Sequence, residues 1–288
     1  MPSSVCPVVV GKINISPSIQ QINMLNSHES LGIAQVVFYV PIVPTAIWLF
    51  RRNGKNRPRM AWWCLIPFSL MRLAGGPVLI AFEQKPSIGL YVAAIILLNV
   101  GVVPLILATL GYVRIVLLDN YSSNPRANKI GSILRFCIFV AIGLLSAGGG
   151  VSSVGTPSAM NTSRALSLVG YILFAVILGV LIAMMSFFLQ KKETLLPSSQ
   201  AILRGGLLAS PFLIIRTVFG LFEVVFQNSA TSPFSPVEGN AVAFALMALL
   251  PEYIAILTYF YTGFSIPPDR GVPAAVEIIT ESADKSGV

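Results

Sequence analysis

The sequence predicts an all-α membrane protein, a bundle of seven transmembrane helices. Three observations lead there. The chain is 55% hydrophobic and only 10% charged, whereas a soluble domain carries about 25% charged residues. Its apolar residues gather into seven runs, each near the roughly 20 residues that a helix needs to cross the hydrocarbon core. Its cations concentrate in alternate short connections between those runs, which is how basic residues are distributed in multi-pass proteins.

The runs fall at 30–50, 60–82, 88–111, 130–150, 164–189, 201–227 and 239–263. The first opens after Ser27 and His28 and contains Pro41 and Pro44. His28 is expected to be a surface residue before this helix. The second comes after RRNGKNRPR, residues 51–59, with five Lys or Arg in nine positions, and starts with Trp62 and Trp63, read as interface anchors. The third includes Asn99 and Pro104. SAGGGV (146–151) ends the fourth as a helix rather than a phosphate loop. The sixth carries Arg216 and Glu223, and the seventh carries Glu252 behind Pro251, a residue that removes a backbone donor and can kink the helix. The boundaries divide the chain into a polar segment 1–29, a transmembrane domain 30–264 and a polar tail 265–288. The tail begins FSIPPDRGVP and reads as solvated.

Orientation is set by the connections. Arg51, Arg52, Lys55, Arg57 and Arg59 lie in the first, Arg114, Arg126 and Lys129 at the third, and Lys191, Lys192 and Arg204 at the fifth. The alternate connections hold only Lys85 and, at one edge, Arg164. This pattern predicts a lumenal or exterior N-terminus and a cytoplasmic C-terminus. Two N-x-[ST] sequons, at Asn14 and Asn161, then face the lumen as candidate glycosylation sites, and a third, at Asn120, faces the cytoplasm. Residues 1–29 lack the basic start and apolar core of a signal peptide, so the first span is expected to direct insertion, into the endoplasmic reticulum or another endomembrane rather than the plasma membrane.

The formal charge of +8 has its explanation in these loops, so no nucleic-acid partner is expected. Cys6, Cys64 and Cys137 form no CxxC pair, and the chain has one histidine, so neither a metal site nor another cofactor is expected. The expected partners are membrane lipids and a hydrophobic small molecule, and the sequence leaves the oligomeric state open.

The charges inside the spans are the informative residues, because an ionisable side chain in hydrocarbon is costly and normally faces the bundle interior. At 1.5 Å rise per residue, Arg216 lies about 16 Å from the outer surface, Arg72 about 15 Å, Asn99 about 16 Å and Glu252 about 20 Å. Four helices thus bring two cations, one amide and one carboxylate to one level. Arg216, Gly220 and Glu223 share a helix face, and Glu223, with Glu83, His28 and Glu29, lies nearer the outer mouth. The windows PFSLMRLAGGPVLIAF (67–82) and PFLIIRTVFGLFEVVF (211–226) both fit P-F-x3-R-x3-G-x5-F. They suggest a 3+1+3 pseudo-repeat in which spans two and six correspond.

IAQVVFYVPIVPTAIWLFRRNG, FSLMRLAGG, YVAAIILLNVGVVPLILATLGYVRIV and IRTVFGLFEVVF, with FSPVEGNAVAFALMALLPEYIAILTYFYTGF after it, together run from residue 33 to 264. On these stretches the chain resembles an uncharacterised family of fungal seven-helix integral membrane proteins. The resemblance implies a seven-helix bundle with arginines on helices two and six and a glutamate on helix seven, matching Arg72, Arg216 and Glu252. Glu223 is outside that pattern. The resemblance implies no activity.

Three functions fit. A membrane-embedded terpene (meroterpenoid) cyclase of secondary metabolism would use Glu252 or Glu223 as the acid that starts isoprenoid cyclisation. Arg72, Arg216 and Asn99 would bind its substrate. An Arg beside Glu252 counts against that residue as the acid. A receptor and a small-molecule transporter are the non-catalytic alternatives, and purely structural ion pairing of Arg216 with Glu252 is the plain reading of the charges.

Overall fold

The computed structural model describes residues 27–54, 58–85, 87–99, 101–120, 125–152, 156–191, 193, 195–226, 239–268 and 270. Among them the chain is helical: α1 (Ser27–Asn53), α2 (Met60–Trp63), α3 (Leu65–Gln84), α4 (Ile88–Asn99), α5 (Val102–Asn120), α6 (Pro125–Ser152), α7 (Pro157–Gln190), α8 (Pro197–Val225), α9 (Ala241–Phe244) and α10 (Leu250–Ser265). Seven segments are long and apolar enough to cross a membrane: His28–Asn53, Met60–Gln84, Ile96–Asn120, Lys129–Val151, Ser158–Gln190, Pro197–Val225 and Ala241–Ser265.

Six of these match the expected runs within a few residues. The third does not: it reads 88–111 in the sequence but spans Ile96–Asn120 in the structure. The apolar run is broken between α4 and α5 around Gly101, and Pro104 stands in the first turn of α5, where a missing amide hydrogen does no harm. Arg114 is consequently inside α5 rather than in a connection.

The bundle is arranged around α5. In its span 81% of the most apolar window is buried, against 22% in the span of α6. The helix touches α2, α3, α6, α7, α8 and α10. α1 packs along α3, α6 along α7, and α8 between α7 and α10. Large apolar side chains such as Phe38, Trp48, Phe136, Phe139, Val176 and Tyr261 point outward, which in water would be a liability and in lipid is the required surface.

The core near one end is aromatic. Tyr112 meets Trp62 at 5.4 Å and Tyr259 at 5.1 Å between ring centroids, and Thr109 Oγ1 lies 2.6 Å from the Tyr259 hydroxyl. Trp62 is therefore a core residue, 1% exposed, while its neighbour Trp63 is 56% exposed and faces outward. Successive helical residues point about 100° apart, so here only one of the pair faces outward.

At that same end Ile266 and Arg270, which follow α10, are buried. Arg52 donates to the carbonyls of Phe264 and Ile266, and Asn53 to that of Gly263, satisfying carbonyls that the end of α10 leaves open. Arg270, at φ 56°, pairs with Asp119 at 3.0 Å. Residues 271–288 lie outside the described part.

Candidate functional site

The side chains of Arg72, Arg216 and Glu252 are all fully buried and meet in the interior. Arg72 comes from the middle of α3, Arg216 from α8, and Glu252 from the first turn of α10. Glu252 Oε1 accepts from Arg216 Nε at 2.5 Å and from Arg72 Nη2, and Glu252 Oε2 also lies in ion-pair contact with Arg72 Nη2. Arg216 Nη2 donates to the Leu98 carbonyl at 3.2 Å. That carbonyl is near the open C-terminal end of α4, so the chain break before α5 supplies the arginine with an acceptor.

Local backbone features put each group in place. Pro251 has no amide hydrogen and cannot pair the carbonyl of Met247, four residues earlier. Just before it, Ala245–Leu249 forms a π-helical turn, a widening that inserts one residue and re-aims the residues of α10. Glu252 comes directly after that proline. Gly101 makes room for Arg72: a Cβ there would stand 2.5 Å from Nη2 and 2.8 Å from Cζ and Nε. On the other side Gly220 is covered by Tyr171, whose ring would overlap a Cβ at that position. Tyr171 and Glu223 lie within electrostatic reach of Arg216. The Arg216 guanidinium also stands 5.9 Å from the Phe219 ring centroid.

Arg216 is therefore enclosed by Glu252, a carbonyl, a tyrosine and the field of Glu223. Arg72 is served less well. Among the described residues Glu252 is its one ion-pair partner, and its Nε and Nη1 have no hydrogen-bond acceptor. Beside it on α1, Gln35 Nε2 donates to the Arg72 carbonyl at 2.6 Å, but Gln35 Oε1 and the Tyr39 hydroxyl are buried without partners.

The remaining expected residues are more scattered. Asn99 ends α4, and its side chain lies outside the described residues. Glu223 is half-buried, two residues before the end of α8. His28 Nε2 is 3.0 Å from the Gly239 carbonyl and Gln84 Nε2 donates to Glu29, at the bundle end that α8 also reaches. Asn14 lies outside the described residues. Asn161 is exposed in the first turns of α7, and Ser163 of its sequon is 2% exposed. Among the described residues no group of three or more His, Cys, Asp or Glu could hold a metal ion. Gln35, Tyr39, Tyr171 and Gly101 are not singled out by the sequence. Only Gln35 carries a signal, an amide inside the apolar run IAQVVFYVPIVP.

Seven helices long and apolar enough to span a membrane, closed over a buried ion-pair triad, define a polytopic membrane protein. A family model described as a domain of unknown function (DUF7702) matches residues 25–269, and the chain belongs to that family. Comparison with curated proteins gave no match, and comparison with solved structures gave none.

Proposed function

We propose that this protein binds a hydrophobic small molecule at the mid-membrane triad. The observation that carries the reading is Arg72: it shares the Glu252 carboxylate with Arg216, and its Nε and Nη1 have no acceptor among the described residues. A purely structural network is expected to satisfy its members, because half-paired buried polar groups are expensive.

The most concrete form of the reading is a terpene (meroterpenoid) cyclase. An acid O–H protonates an epoxide of a long isoprenoid, the C–O bond breaks, and alkene electron pairs close C–C bonds onto the cation. Loss of a carbon-bound proton to the carboxylate ends the sequence, so product and substrate are isomers. Glu252 acts as an ion-pair acceptor between two arginines and is badly placed to start with a proton. Glu223, half-buried near the end of α8, is the other candidate acid, with Arg72, Arg216 and the Asn99 position binding the substrate's polar head. The test is to incubate membranes containing wild type, Glu223→Gln and Glu252→Gln with epoxidised isoprenoid-phenols and look for isomeric products by mass spectrometry. An isomer made by wild type and lost in folded Glu223→Gln supports the cyclase. No isomer from wild type removes catalysis on these substrates and leaves a binder, receptor or transporter.

One observation favours the transporter alternative. Arg72 and Arg216 occupy matching places in the two P-F-x3-R windows and donate to the same glutamate, as a 3+1+3 pseudo-repeat around a central site would arrange. The same reading takes the basic first, third and fifth connections as cytoplasmic, Asn14 and Asn161 as lumenal acceptors, an endomembrane of a fungal cell as the location, and 30–264 as the transmembrane domain.

A further inference from the structure

We propose that Tyr39, Gln35 and the unengaged part of Arg72 form a cradle for the carboxylate head of a single-chain amphiphile. The inference rests on the binding reading above and names the ligand class.

Three buried residues of α1 and α3 have unfilled hydrogen-bonding capacity. Arg72, 0% exposed, offers Nε and Nη1; Tyr39, 2% exposed, offers its hydroxyl; Gln35, 1% exposed, offers Oε1. Gln35 and Tyr39 are four residues apart on α1 and so share a face. Gln35 is tied to the Arg72 carbonyl, and the Tyr39 hydroxyl lies in the electrostatic field of Arg72 and Glu252. Leaving such groups unmet in a low-dielectric interior is costly.

Their chemistry specifies the occupant. Arg72 Nε and Nη1 can only donate, and the tyrosine hydroxyl can donate as well. Unmet donors beside a buried guanidinium ask for an oxyanion. One negative charge is enough, because Glu252 and the field of Glu223 already meet part of the charge of the two arginines. Gln35 Oε1 takes one donor, a water or a hydroxyl beside the head. The surroundings are apolar: Phe68 lies against the Tyr39 ring at 5.9 Å, and Val37, Phe38 and Val40 of α1 face lipid. A bulky polar head such as a phosphodiester would bury groups with no partner here, whereas a carboxylate on a hydrocarbon chain fits both the donors and the walls.

The experiment uses the purified full-length chain in neutral detergent with three probes of one chain length: palmitate, methyl palmitate and hexadecanol. Binding is read by the shift of the thermal unfolding midpoint. A diazirine-bearing palmitate is cross-linked in parallel and mapped by mass spectrometry. Tyr39→Phe removes an oxygen that bonds nothing in the described structure, so it is expected to fold like wild type. The expected result is tighter binding of palmitate than of the ester or alcohol, cross-links on α1 and α3, and a dissociation constant for palmitate raised about tenfold in Tyr39→Phe with the ester and alcohol unaffected. Equal binding of all three probes overturns the carboxylate cradle while leaving the hydrophobic site standing. Palmitate binding unchanged by Tyr39→Phe places the head elsewhere and overturns it too. Absence of binding by any probe, together with failure of isoprenoid-phenols to bind, removes both readings.

Discussion

Arg72 and Arg216 stand 144 positions apart (216 − 72), on α3 and α8, and both donate to Glu252 Oε1. One carboxylate oxygen thus joins three helices that contribute to three different spans. In a bilayer the apolar faces of helices gain little by leaving lipid, so packing and polar contacts carry much of the specificity. The triad fixes the rotation of α3, α8 and α10 about their axes, because each charged side chain has one direction in which it finds a partner.

Glu252→Met is expected to be strongly destabilising, by about 3–5 kcal/mol, because it strands two buried guanidiniums. The triple variant Arg72→Met, Arg216→Met, Glu252→Met is expected to be more stable than Glu252→Met alone, since a volume-matched apolar set leaves no buried charge unpaired. Thermal unfolding of the three proteins in one detergent checks this. A triple variant no more stable than Glu252→Met would mean that the ion pairs, not stranded charge, dominate the energetics at this site.

Gly101→Ala tests how closely the guanidinium is held. Its Cβ would fall 2.5 Å from Arg72 Nη2, so Arg72 must move or the break between α4 and α5 must shift. The expected loss is about 1–3 kcal/mol, as for overpacking. Gly179→Ala on α7 is the control, because a Cβ there meets nothing within 4 Å and the change removes a helix-interior glycine, expected to be worth a gain of about 0.5–1 kcal/mol.

The sequence carries the framework of this site but not its fit. Charge in an apolar run is legible because its cost in hydrocarbon forces it inward, so the inward placement of Arg72, Arg216 and Glu252 can be reasoned from position along each span. Which groups complete the ring cannot, because that depends on helix rotation. Tyr39 and Tyr171 look like any aromatic residue in a span, and their hydroxyls acquire meaning only once α1 lies on α3 and α7 on α8. The π-helical turn has no compositional signature beyond Pro251, which signals a disturbance and not its kind. The third span is displaced from its expected place for a related reason: residues 88–117 are apolar almost throughout, and hydropathy in such a run does not say where the chain turns. Trp62 lies in the core rather than the interface because an aromatic near a helix start serves equally well in either place, and only packing decides.

Tyr171→Phe removes a buried hydroxyl within electrostatic reach of Arg216 and is expected to weaken the bundle by about 1 kcal/mol. Gly220→Ala is expected to give an effect of similar size, because the new methyl displaces the Tyr171 ring. The two changes act on one contact, so the double variant is expected to lose less than the sum. A double-mutant cycle by thermal unfolding measures the coupling, and simple additivity would show that Tyr171 reaches Arg216 independently of its seat on Gly220.

The last prediction concerns the opposite end of the bundle, where Arg270 holds the segment after α10 against α5. Arg270 Nη1 lies 3.0 and 3.1 Å from the two oxygens of Asp119, and both side chains are 8% exposed, so solvent screens the pair little. Arg270 also sits in the left-handed region at φ 56°, a conformation that a non-glycine residue keeps only when its contacts require it. Its amide donates to the Pro267 carbonyl at 3.0 Å, and its side chain pairs with Asp119. Asp119→Asn removes the charge while keeping the shape, and is expected to loosen residues 266–270 without unfolding the spans. Trypsin, which cuts after arginine, reads this directly: cleavage at Arg270 is expected to be slow in the wild type and several-fold faster in Asp119→Asn, with the unfolding midpoint nearly unchanged. Equal cleavage rates would mean that the Arg52 and Asn53 bonds to the end of α10 hold the segment by themselves. A large fall in the midpoint would instead make the pair a structural element of the bundle.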